Sequence, residues 1–214
     1  MEVVTIIPAY NEEKTIGDVL KCLVEVEEIK KIIVVSDGST DNTVEVARSF
    51  NVEVVELEAN LGKGGAMKAG FEKFTADVVL FLDADLIGLT SEHVRNLLSP
   101  VLNNEAEMTI GIFDKGRVAT DWAQRMAPGL SGQRAVKSSV LKNISDIDIS
   151  RFGVEVALTR HAEENNVIVI EVPLKDMTHV MKEEKLGVWK GVAARVKMYW
   201  EIVKYFTTAE SLKK

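Results

Sequence analysis

The sequence has little of what marks a secreted, membrane-spanning or multidomain protein. It has one cysteine, Cys22, in 214 residues, so an internal disulfide cannot form and we expect a reducing, cytoplasmic setting. The absence of an internal repeat, a linker or a low-complexity tract predicts one domain over residues 1–214. No run reaches the roughly 18–20 apolar residues of a spanning helix. The N-terminus has no charged leader before an apolar region, so we expect no signal peptide.

Negative charge outnumbers positive charge. The sequence has 26 lysines and arginines and 33 aspartates and glutamates, which gives a net charge of −7. Because nucleic-acid affinity depends largely on basic side chains that contact phosphates, we expect no nucleic-acid partner. Peripheral contact with the inner face of a membrane is left open. The composition, 46% hydrophobic and 28% charged, is that of a globular domain with a substantial core.

What is present is an alternation of short apolar strands and helical patterns. The predicted strands of the first half are Val3–Ile7, Lys31–Ser36, Val52–Leu57, Val78–Leu82 and Met108–Ile112. Their nearly continuous apolarity is typical of parallel strands buried on both faces. Ser91 is predicted to cap a helix between the last two. The pattern predicts an α/β fold with a mostly parallel central sheet flanked by helices.

The second half is less regular. Its predicted loops, strands and helices are, in chain order, the loop Phe113–Gly129, the strand Leu130–Val136, the helix Gly153–Asn165, the strand Val167–Val172, the loop Pro173–Gly187 and the helix Val188–Phe206.

Two carboxylates one residue apart, Asp83 and Asp85, follow the apolar strand Val78–Leu82. In parallel sheets, ligands bind beyond the carboxyl ends of the strands. Such a pair suits Mg²⁺ or Mn²⁺, which prefer hard oxygen ligands. The alternative is an acidic turn that caps the next helix, and this segment alone does not decide between the two.

Polar loops also follow the first two strands. We expect Pro8 to end the first strand, because proline has no N–H to donate. The following segment through Glu13 can be a turn with acidic helix capping or part of a binding edge. Around Gly38, the hydroxyl and carboxylate side chains of Ser36–Thr43 can cap a helix or, through Asp37, bind a base or ribose.

The third loop, Asn60–Ala66, is rich in glycine and contains Lys63. Its spacing matches neither the P-loop nor the GxGxxG pattern, but glycines and a helix start still favour a phosphate. Among the histidines, His93 and His161 lie on helical patterns and are assigned to the surface or core. His179 follows a predicted strand and is a candidate metal ligand.

Four segments resemble, in order and spacing, the GT-A-fold glycosyltransferases of family 2 type: Ile6–Glu12, Val34–Asp41, Asn60–Gly64 and Phe81–Asp85. The resemblance implies an enzyme, a hexosyltransferase. It implies a nucleotide-sugar-binding half at 1–112, an acceptor half at 113–187 and a C-terminal amphipathic helix at 188–214.

Segments of the second half resemble particular members. Ser131–Arg134 is similar to the acceptor side of polyprenyl-phosphate sugar transferases. Gly153–Leu158 and Val172–His179 are similar to glucosyl-3-phosphoglycerate synthase. The second likeness implies that His179 completes the metal site and that Glu155 is an acceptor-site or catalytic residue.

The resemblance also implies roles for individual residues. The nucleoside pocket would contain Pro8, Tyr10, Asn11, Glu12 and Asp37, with Lys63 near the base or diphosphate. The metal site would contain Asp83, Asp85 and His179, with Asp83 on the ribose or metal and Asp85 also catalytic. The acceptor side would contain Gly132, Gln133, Arg134 and Glu155. Bound Mg²⁺ or Mn²⁺ would neutralise charge on the leaving nucleoside diphosphate.

The expected partners are a nucleotide-sugar donor, taken as UDP-glucose with GDP-mannose as the alternative, and an acidic acceptor. Many inverting members of the family carry a Glu-Asp pair as general base after the corresponding loop, and none follows the loop 113–129 here. An acceptor with a phosphate or carboxylate group, such as phosphoglycerate or a polyprenyl phosphate, is already ionised and needs no strong base. Inverting and retaining outcomes both stay open. Two other functions are weighed: a sugar-phosphate nucleotidyltransferase, whose glycine-rich first loop is missing here, and a non-catalytic nucleotide-sugar-binding module.

The predicted C-terminal helix contains aromatic and basic residues, among them Trp189, Lys190, Tyr199 and Trp200. Packing of an amphipathic helix on the domain is the simplest interpretation. An interfacial membrane helix and a homodimer contact are the functional alternatives.

Overall fold

The computed structural model describes residues 1–113, 131–142 and 153–179. The chain divides into two compact units, Met1–Thr178 and His179–Lys214. The predicted loop after Phe113 and the predicted helix Val188–Phe206, with its membrane and dimer roles, lie outside the described residues. Among the helices within those ranges, none has the length and apolarity to cross a bilayer.

Through Phe113, strands and helices alternate as the sequence predicts, apart from a short added strand at Leu86–Ile87. The strands are β1 (Val3–Ala9), β2 (Ile29–Ser36), β3 (Glu53–Glu56), β4 (Val78–Phe81), β5 (Leu86–Ile87), β6 (Met108–Phe113), β7 (Arg134–Lys137), β8 (Val169–Leu174) and β9 (Thr178–His179). The helices are α1 (Ile16–Leu23), α2 (Thr43–Arg48), α3 (Gly62–Lys73), α4 (Ser91–Leu102), α5 (Ser138–Lys142) and α6 (Gly153–Glu164).

Seven strands form the central sheet in the order β3-β2-β1-β4-β7-β6-β8. Strands β1, β2, β3 and β4 are parallel to one another, β6 and β8 are parallel, and β7 is antiparallel to both β4 and β6. The short strands β5 and β9 make a separate two-stranded sheet. The predicted fold class, an α/β domain with a mostly parallel sheet between helices, is confirmed.

Both faces of the sheet are covered by apolar side chains. Ile7 of β1 packs in the cluster that contains Leu20 of α1 and Leu97 of α4. Ile6, its neighbour along the strand, points to the opposite face and packs with Met67 of α3. Because alternate residues point to opposite faces, a strand covered on both sides must be apolar throughout, which explains the continuous runs in the sequence.

Helix α3 lies close to the sheet at Gly70. A Cβ at this position would stand only 2.7 Å from Cγ2 of Ile6 and 3.0 Å from Cγ2 of Val35. A residue larger than glycine would push the helix away from β1 and β2. This close packing fixes the first turn of α3, which contains Lys63, relative to the ends of the strands.

The prediction that Pro8 ends the first strand is wrong, since β1 continues to Ala9. Asp37 N–H donates to the Ala9 carbonyl at 2.8 Å, so Ala9 faces β2. The nitrogen of Pro8 therefore faces the side of β4, and β4 has already ended at Phe81. No ladder hydrogen bond is lost there, which is why proline is tolerated.

The predicted loop from Pro173 also begins later than expected. Strand β8 runs through Pro173 to Leu174, and β9 follows at Thr178–His179. Within the described sheet β8 pairs with β6 and lies at the edge. A proline on an edge strand can place its nitrogen away from the ladder, so the strand continues.

The cap of α4 is Thr90 rather than the predicted Ser91. The Thr90 hydroxyl accepts from His93 N–H, and His93 Nδ1 accepts from Thr90 N–H, both at 3.3 Å. This reciprocal pair is a capping box, which gives His93 a structural role. The alternative that Asp83 and Asp85 form an acidic turn that caps the next helix is therefore wrong, because Thr90 caps the start of α4.

Candidate active site

The sheet topology brings distant segments to one edge. The parallel strands β1, β2 and β4 end there, while the antiparallel strand β7 begins there. Phe81, the last residue of β4, pairs with Arg134, the first residue of β7. The segment 131–133 therefore lies beside Asp83, although fifty positions separate Asp83 from Gln133 in the chain.

Lys63, Asp83 and Glu155 meet at this edge, and we call these three residues the acidic centre. The Lys63 ammonium lies 2.5 Å from Asp83 Oδ1 and 2.6 Å from Glu155 Oε1. The side chains are 28%, 17% and 9% exposed for Lys63, Asp83 and Glu155. Lys63 comes from the first turn of α3 and Glu155 from the first turn of α6.

The acidic centre is a site where a cation is strongly held. Burial alone lowers the pKa of Lys63, but the Asp83 and Glu155 carboxylates outweigh it and raise the pKa above its usual range. The lysine is therefore an ammonium ion at neutral pH. One positive charge lies between two partly buried negative charges, so the centre favours a further positive charge or a ligand that brings one.

Gly132 lies against the acidic centre. A Cβ at this position would overlap Nζ of Lys63 and would stand 2.8 Å from each Asp83 carboxylate oxygen. Next to it, Gln133 Nε2 donates to Asp83 Oδ2 at 2.8 Å. Gly132 and Gln133, two of the four residues that the resemblance places on the acceptor side, thus lie against Asp83, and their contact with an acceptor stays a prediction.

Arg134 lies inside the protein. Its guanidinium is 1% exposed and donates to the Ser131 carbonyl at 2.8 Å and to Thr159 Oγ1 at 3.1 Å. Burial lowers its pKa to about 10, against the opposing effect of the Glu155 carboxylate. Thr159 in turn donates to the Glu155 carbonyl at 2.9 Å. These contacts join β7 to α6, so the geometry gives Arg134 a structural role, while acceptor binding by this residue stays a prediction.

The loops that follow β1, β2 and β3 lie at the same edge, and we call them the donor-side loops. Asn11, which has φ 56°, accepts from Thr40 N–H at 2.8 Å, and Thr43 Oγ1 accepts from Glu12 N–H at 2.8 Å. Buried Asp37 accepts from Leu61 N–H at 2.7 Å. The loop after β2 is thereby tied to both of its neighbours.

The remaining predicted nucleoside residues lie on or near β1. Pro8 is in the strand, and Tyr10 follows it with 48% of its surface exposed. Tyr10 therefore offers an exposed aromatic ring beside Asn11 at the edge of the sheet. The structure brings the predicted nucleoside residues to one edge, and their roles stay predictions.

Asp85 lies between β4 and β5 and is half-buried. Its predicted partner His179 is the last residue of β9 and belongs to the second compact unit. Over the described ranges, no group of three or more His, Cys, Asp or Glu side chains is placed to hold a metal ion. The set Asp83, Asp85 and His179 stays a prediction.

The ion pairs of the acidic centre are not predicted from the sequence. The resemblance implies Lys63 near the base or diphosphate and Glu155 near the acceptor, without a contact between the two. The one feature that the two residues share is a position in the first turn of a helix. The order of strands, in which β7 lies between β4 and β6, brings α6 to the edge where α3 begins.

Comparison with known proteins adds an independent finding. The model of glycosyl transferase family 2 matches residues 4–156, which is well over half of the chain. An uncharacterized protein of Methanocaldococcus jannaschii is 30% identical over 81% of this chain and 81% of its own length. The 4,4'-diaponeurosporenoate glycosyltransferase of Staphylococcus aureus is 36% identical over 44% of this chain, which covers only 26% of that enzyme.

Solved structures agree with the sequence relatives. Glucosyl-3-phosphoglycerate synthase of Mycobacterium tuberculosis with Mn²⁺ and UDP-glucose is 26% identical, with a TM-score of 0.72 over 84% of this chain and 71% of that one. The same enzyme with phosphoglyceric acid added gives 26% identity and a TM-score of 0.70 over the same shares.

Glycosyl transfer is therefore favoured over the nucleotidyltransferase and non-catalytic alternatives. Family match, strand order and the side chains at the carboxyl edge agree, and the chain belongs to glycosyl transferase family 2, as an enzyme with the GT-A fold.

Proposed function

We propose that this enzyme transfers glucose from UDP-glucose to an acceptor that carries a phosphate or carboxylate group. The observation that supports this most directly is the acidic centre beside the donor-side loops. A nucleotide sugar that contacts both the donor-side loops and the acidic centre would place its nucleoside on the loops and its diphosphate next to Lys63. The relative solved with UDP-glucose and phosphoglyceric acid supports the same choice of substrates.

The donor-side loops suit a nucleoside because their backbone is already fixed. Asp37 and Asn11 each accept from a backbone N–H of a neighbouring loop, at 2.7 and 2.8 Å. Because this surface is already ordered, binding of a ligand there costs little conformational entropy. The exposed ring of Tyr10 supplies a surface on which a base can stack.

The chemistry of Asp83 and Asp85 supports a divalent metal ion at this edge. Asp83 and Asp85 supply hard oxygen ligands at alternate positions, and Asp83 already binds a cation, the Lys63 ammonium, at 2.5 Å. We propose that these two carboxylates and His179 hold Mg²⁺ or Mn²⁺. The bound ion supplies charge neutralisation for the diphosphate oxygens as the bond to the sugar breaks.

Lys63 would act on the diphosphate side of that bond, and Glu155 would act through Lys63. Because Asp83 and Glu155 already neutralise the Lys63 ammonium, this lysine, at the N-terminal turn of a twelve-residue helix, would contact the diphosphate together with the bound metal ion. Glu155 holds this ammonium at 2.6 Å and keeps it charged. An acceptor that is itself an anion at pH 7 needs no strong base to become a nucleophile.

The choice of acceptor is tested directly by comparing phosphoglycerate with a short-chain polyprenyl phosphate. Release of the nucleoside diphosphate is measured with each acceptor, as UDP from UDP-glucose or as GDP from GDP-mannose, and with Mg²⁺, Mn²⁺ or a chelator. We expect metal-dependent UDP release with UDP-glucose and phosphoglycerate. UDP release with the polyprenyl phosphate and not with phosphoglycerate would instead identify the acceptor as a membrane lipid.

Donor binding is measured separately by thermal shift. UDP-glucose with Mn²⁺ should raise the melting temperature, because a ligand that binds only the folded state stabilises it. Asp85→Asn should abolish the shift, whereas Asp18→Asn, at an exposed position on α1, should leave it unchanged. If neither UDP-glucose nor GDP-mannose raised the melting temperature, the result would contradict the proposal.

A further inference from the structure

Gln133 is a polar side chain with no exposed surface, and it lies between Asp83 and Ser131. Its Nε2 donates to Asp83 Oδ2 at 2.8 Å. Its Oε1 lies 2.9 Å from Oγ of Ser131, a buried residue whose hydroxyl also lies 2.6 Å from the Gly111 carbonyl. The hydroxyl has one proton, which is shared between these two acceptors. A row of polar contacts therefore leads from β6 through Ser131 and Gln133 to the acidic centre.

The chemistry of the two ends fixes the orientation of the Gln133 amide. An ionised carboxylate only accepts hydrogen bonds, so the group that faces Asp83 must be the NH₂. The amide oxygen then faces Ser131, whose hydroxyl can donate. If the amide turned over, its oxygen would face the Asp83 carboxylate, and two acceptors would meet in a buried place. That arrangement is costly.

Asp83 is thus held from two sides. Lys63 binds Oδ1 at 2.5 Å, and Gln133 binds Oδ2 at 2.8 Å. The lysine is long and flexible, and its pairing can change, because a diphosphate would compete for the ammonium and a metal ion would compete with the ammonium for the carboxylates. The amide of Gln133 is enclosed by protein, so its hold on Asp83 can persist when the lysine changes partner.

We propose that Gln133 is a positioning residue, which keeps the Asp83 carboxylate in a fixed orientation, with the Ser131 hydroxyl as a contact of its amide oxygen. This differs from the acceptor contact that the sequence implies for Gln133. A side chain with no exposed surface and both ends bound to protein groups is poorly placed to meet a substrate. The inference deepens the proposed function, on which it rests for the task of Asp83, whereas the hydrogen bond itself does not depend on it.

Gln133→Met tests the proposal at nearly constant volume. Methionine fills the buried space but cannot donate to Asp83. Mn²⁺ alone is titrated into the protein, and bound metal is measured by loss of the electron paramagnetic resonance signal of the free ion. Groups that orient a metal ligand typically change metal affinity by about 10–100-fold. We expect a Kd for Mn²⁺ at least about tenfold higher than in the wild type, and a smaller rise for Ser131→Ala.

Thr109→Val is the matched control. Thr109 is equally buried in the neighbouring strand, where its hydroxyl donates to the Leu97 carbonyl at 2.8 Å and accepts from Ala135 N–H at 3.3 Å. Its loss should lower the melting temperature and leave the Kd for Mn²⁺ unchanged. Unchanged Mn²⁺ affinity in Gln133→Met, or a raised KM for the acceptor as its only defect, would overturn the positioning role.

A double-mutant cycle keeps this inference separate from the proposed function. Unfolding by urea is compared for the wild type, Gln133→Met, Asp83→Ala and the double variant. If the two residues interact, the loss of stability in the double variant differs from the sum of the single losses. Additive losses would overturn the inference. If the wild type binds no Mn²⁺, the metal part of the proposed function fails, and a non-additive cycle still supports the interaction of Gln133 with Asp83.

Discussion

The donor-side loops and the acidic centre lie at the same edge of the sheet, but they are held together in different ways. In the loops, side-chain oxygens accept from backbone N–H groups, as Asn11 does from Thr40 and Asp37 from Leu61. In the acidic centre, the Lys63 ammonium holds two carboxylates from other elements. Backbone contacts fix a shape before a ligand arrives, while ion pairs between side chains can be exchanged for contacts with a ligand.

This difference suggests a division of work within the site. The donor-side loops would contribute binding that is equal in the ground state and the transition state, which lowers KM. The acidic centre would contribute charge stabilisation as the diphosphate leaves, which raises kcat. Substitutions in the two regions should therefore separate in steady-state kinetics.

The largest effect is expected for Asp83→Asn. The substitution keeps the shape of the side chain and removes the charge that pairs with Lys63 at 2.5 Å. Loss of one preorganised electrostatic contact typically costs about 10²–10³ in kcat. We expect a fall of that size in the rate of UDP release at saturating donor. Asp18→Asn, on the exposed face of α1, should keep full activity, and equal losses in both would contradict a special role for Asp83.

Gly132→Ala should break the acidic centre without unfolding the protein. The new methyl group would overlap the end of the flexible Lys63 side chain and stand 2.8 Å from the Asp83 oxygens, so these side chains must move. Misplacement of this kind can cost about 10²-fold in kcat/KM. Gly17→Ala is the control, since its Cβ would meet Val46 at an ordinary 3.5 Å. Normal activity in Gly132→Ala would show that the Lys63 pairs are dispensable.

A smaller effect of a different kind is expected for Asp37→Asn. Asparagine can still accept from Leu61 N–H, but it lacks the negative charge, and the contact at 2.7 Å becomes weaker. If the donor-side loops supply uniform binding, KM for UDP-glucose should rise about tenfold with kcat nearly unchanged. Asp77→Asn is matched, because Asp77 accepts from Glu2 N–H at 2.7 Å at the opposite edge of the sheet. A fall in kcat alone would contradict the division of work.

The sequence predicts the donor-side region better than the acidic centre, and the reason is physical. The loops around Asn11 and Asp37 follow strands whose continuous apolarity marks them as buried and parallel, so their common edge follows from the topology. The pairing of Lys63 with Glu155 depends on where β7 enters the sheet and on how α6 packs, which are long-range facts. The error at Pro8 has a similar cause, since its tolerance depends on where the neighbouring strand β4 ends.

The smallest effect concerns the stability of the donor-side loops, through Asp41. Its carboxylate accepts from Thr43 N–H at 3.0 Å, from Glu13 N–H at 3.2 Å and from the Thr43 hydroxyl. Burial alone raises the pKa of Asp41, but these hydrogen bonds outweigh it and lower the pKa below its ordinary value. Asp41→Ala should therefore cost about 0.5–1 kcal/mol in the free energy of unfolding at pH 7.

The sign of the pH dependence follows from the lowered pKa. The stabilisation by the Asp41 carboxylate is complete above the pKa of this residue in the unfolded chain, about 3.9. It is lost as the pH falls through the lower pKa of Asp41 in the folded protein. Urea unfolding of the wild type and Asp41→Ala at pH 7, 4 and 3 measures this difference, which should shrink towards acid. A difference that stays constant over this range would mean that the carboxylate charge of Asp41 does not hold the loops together, and that the donor-side region relies on neutral hydrogen bonds such as that from Glu12 N–H to Thr43.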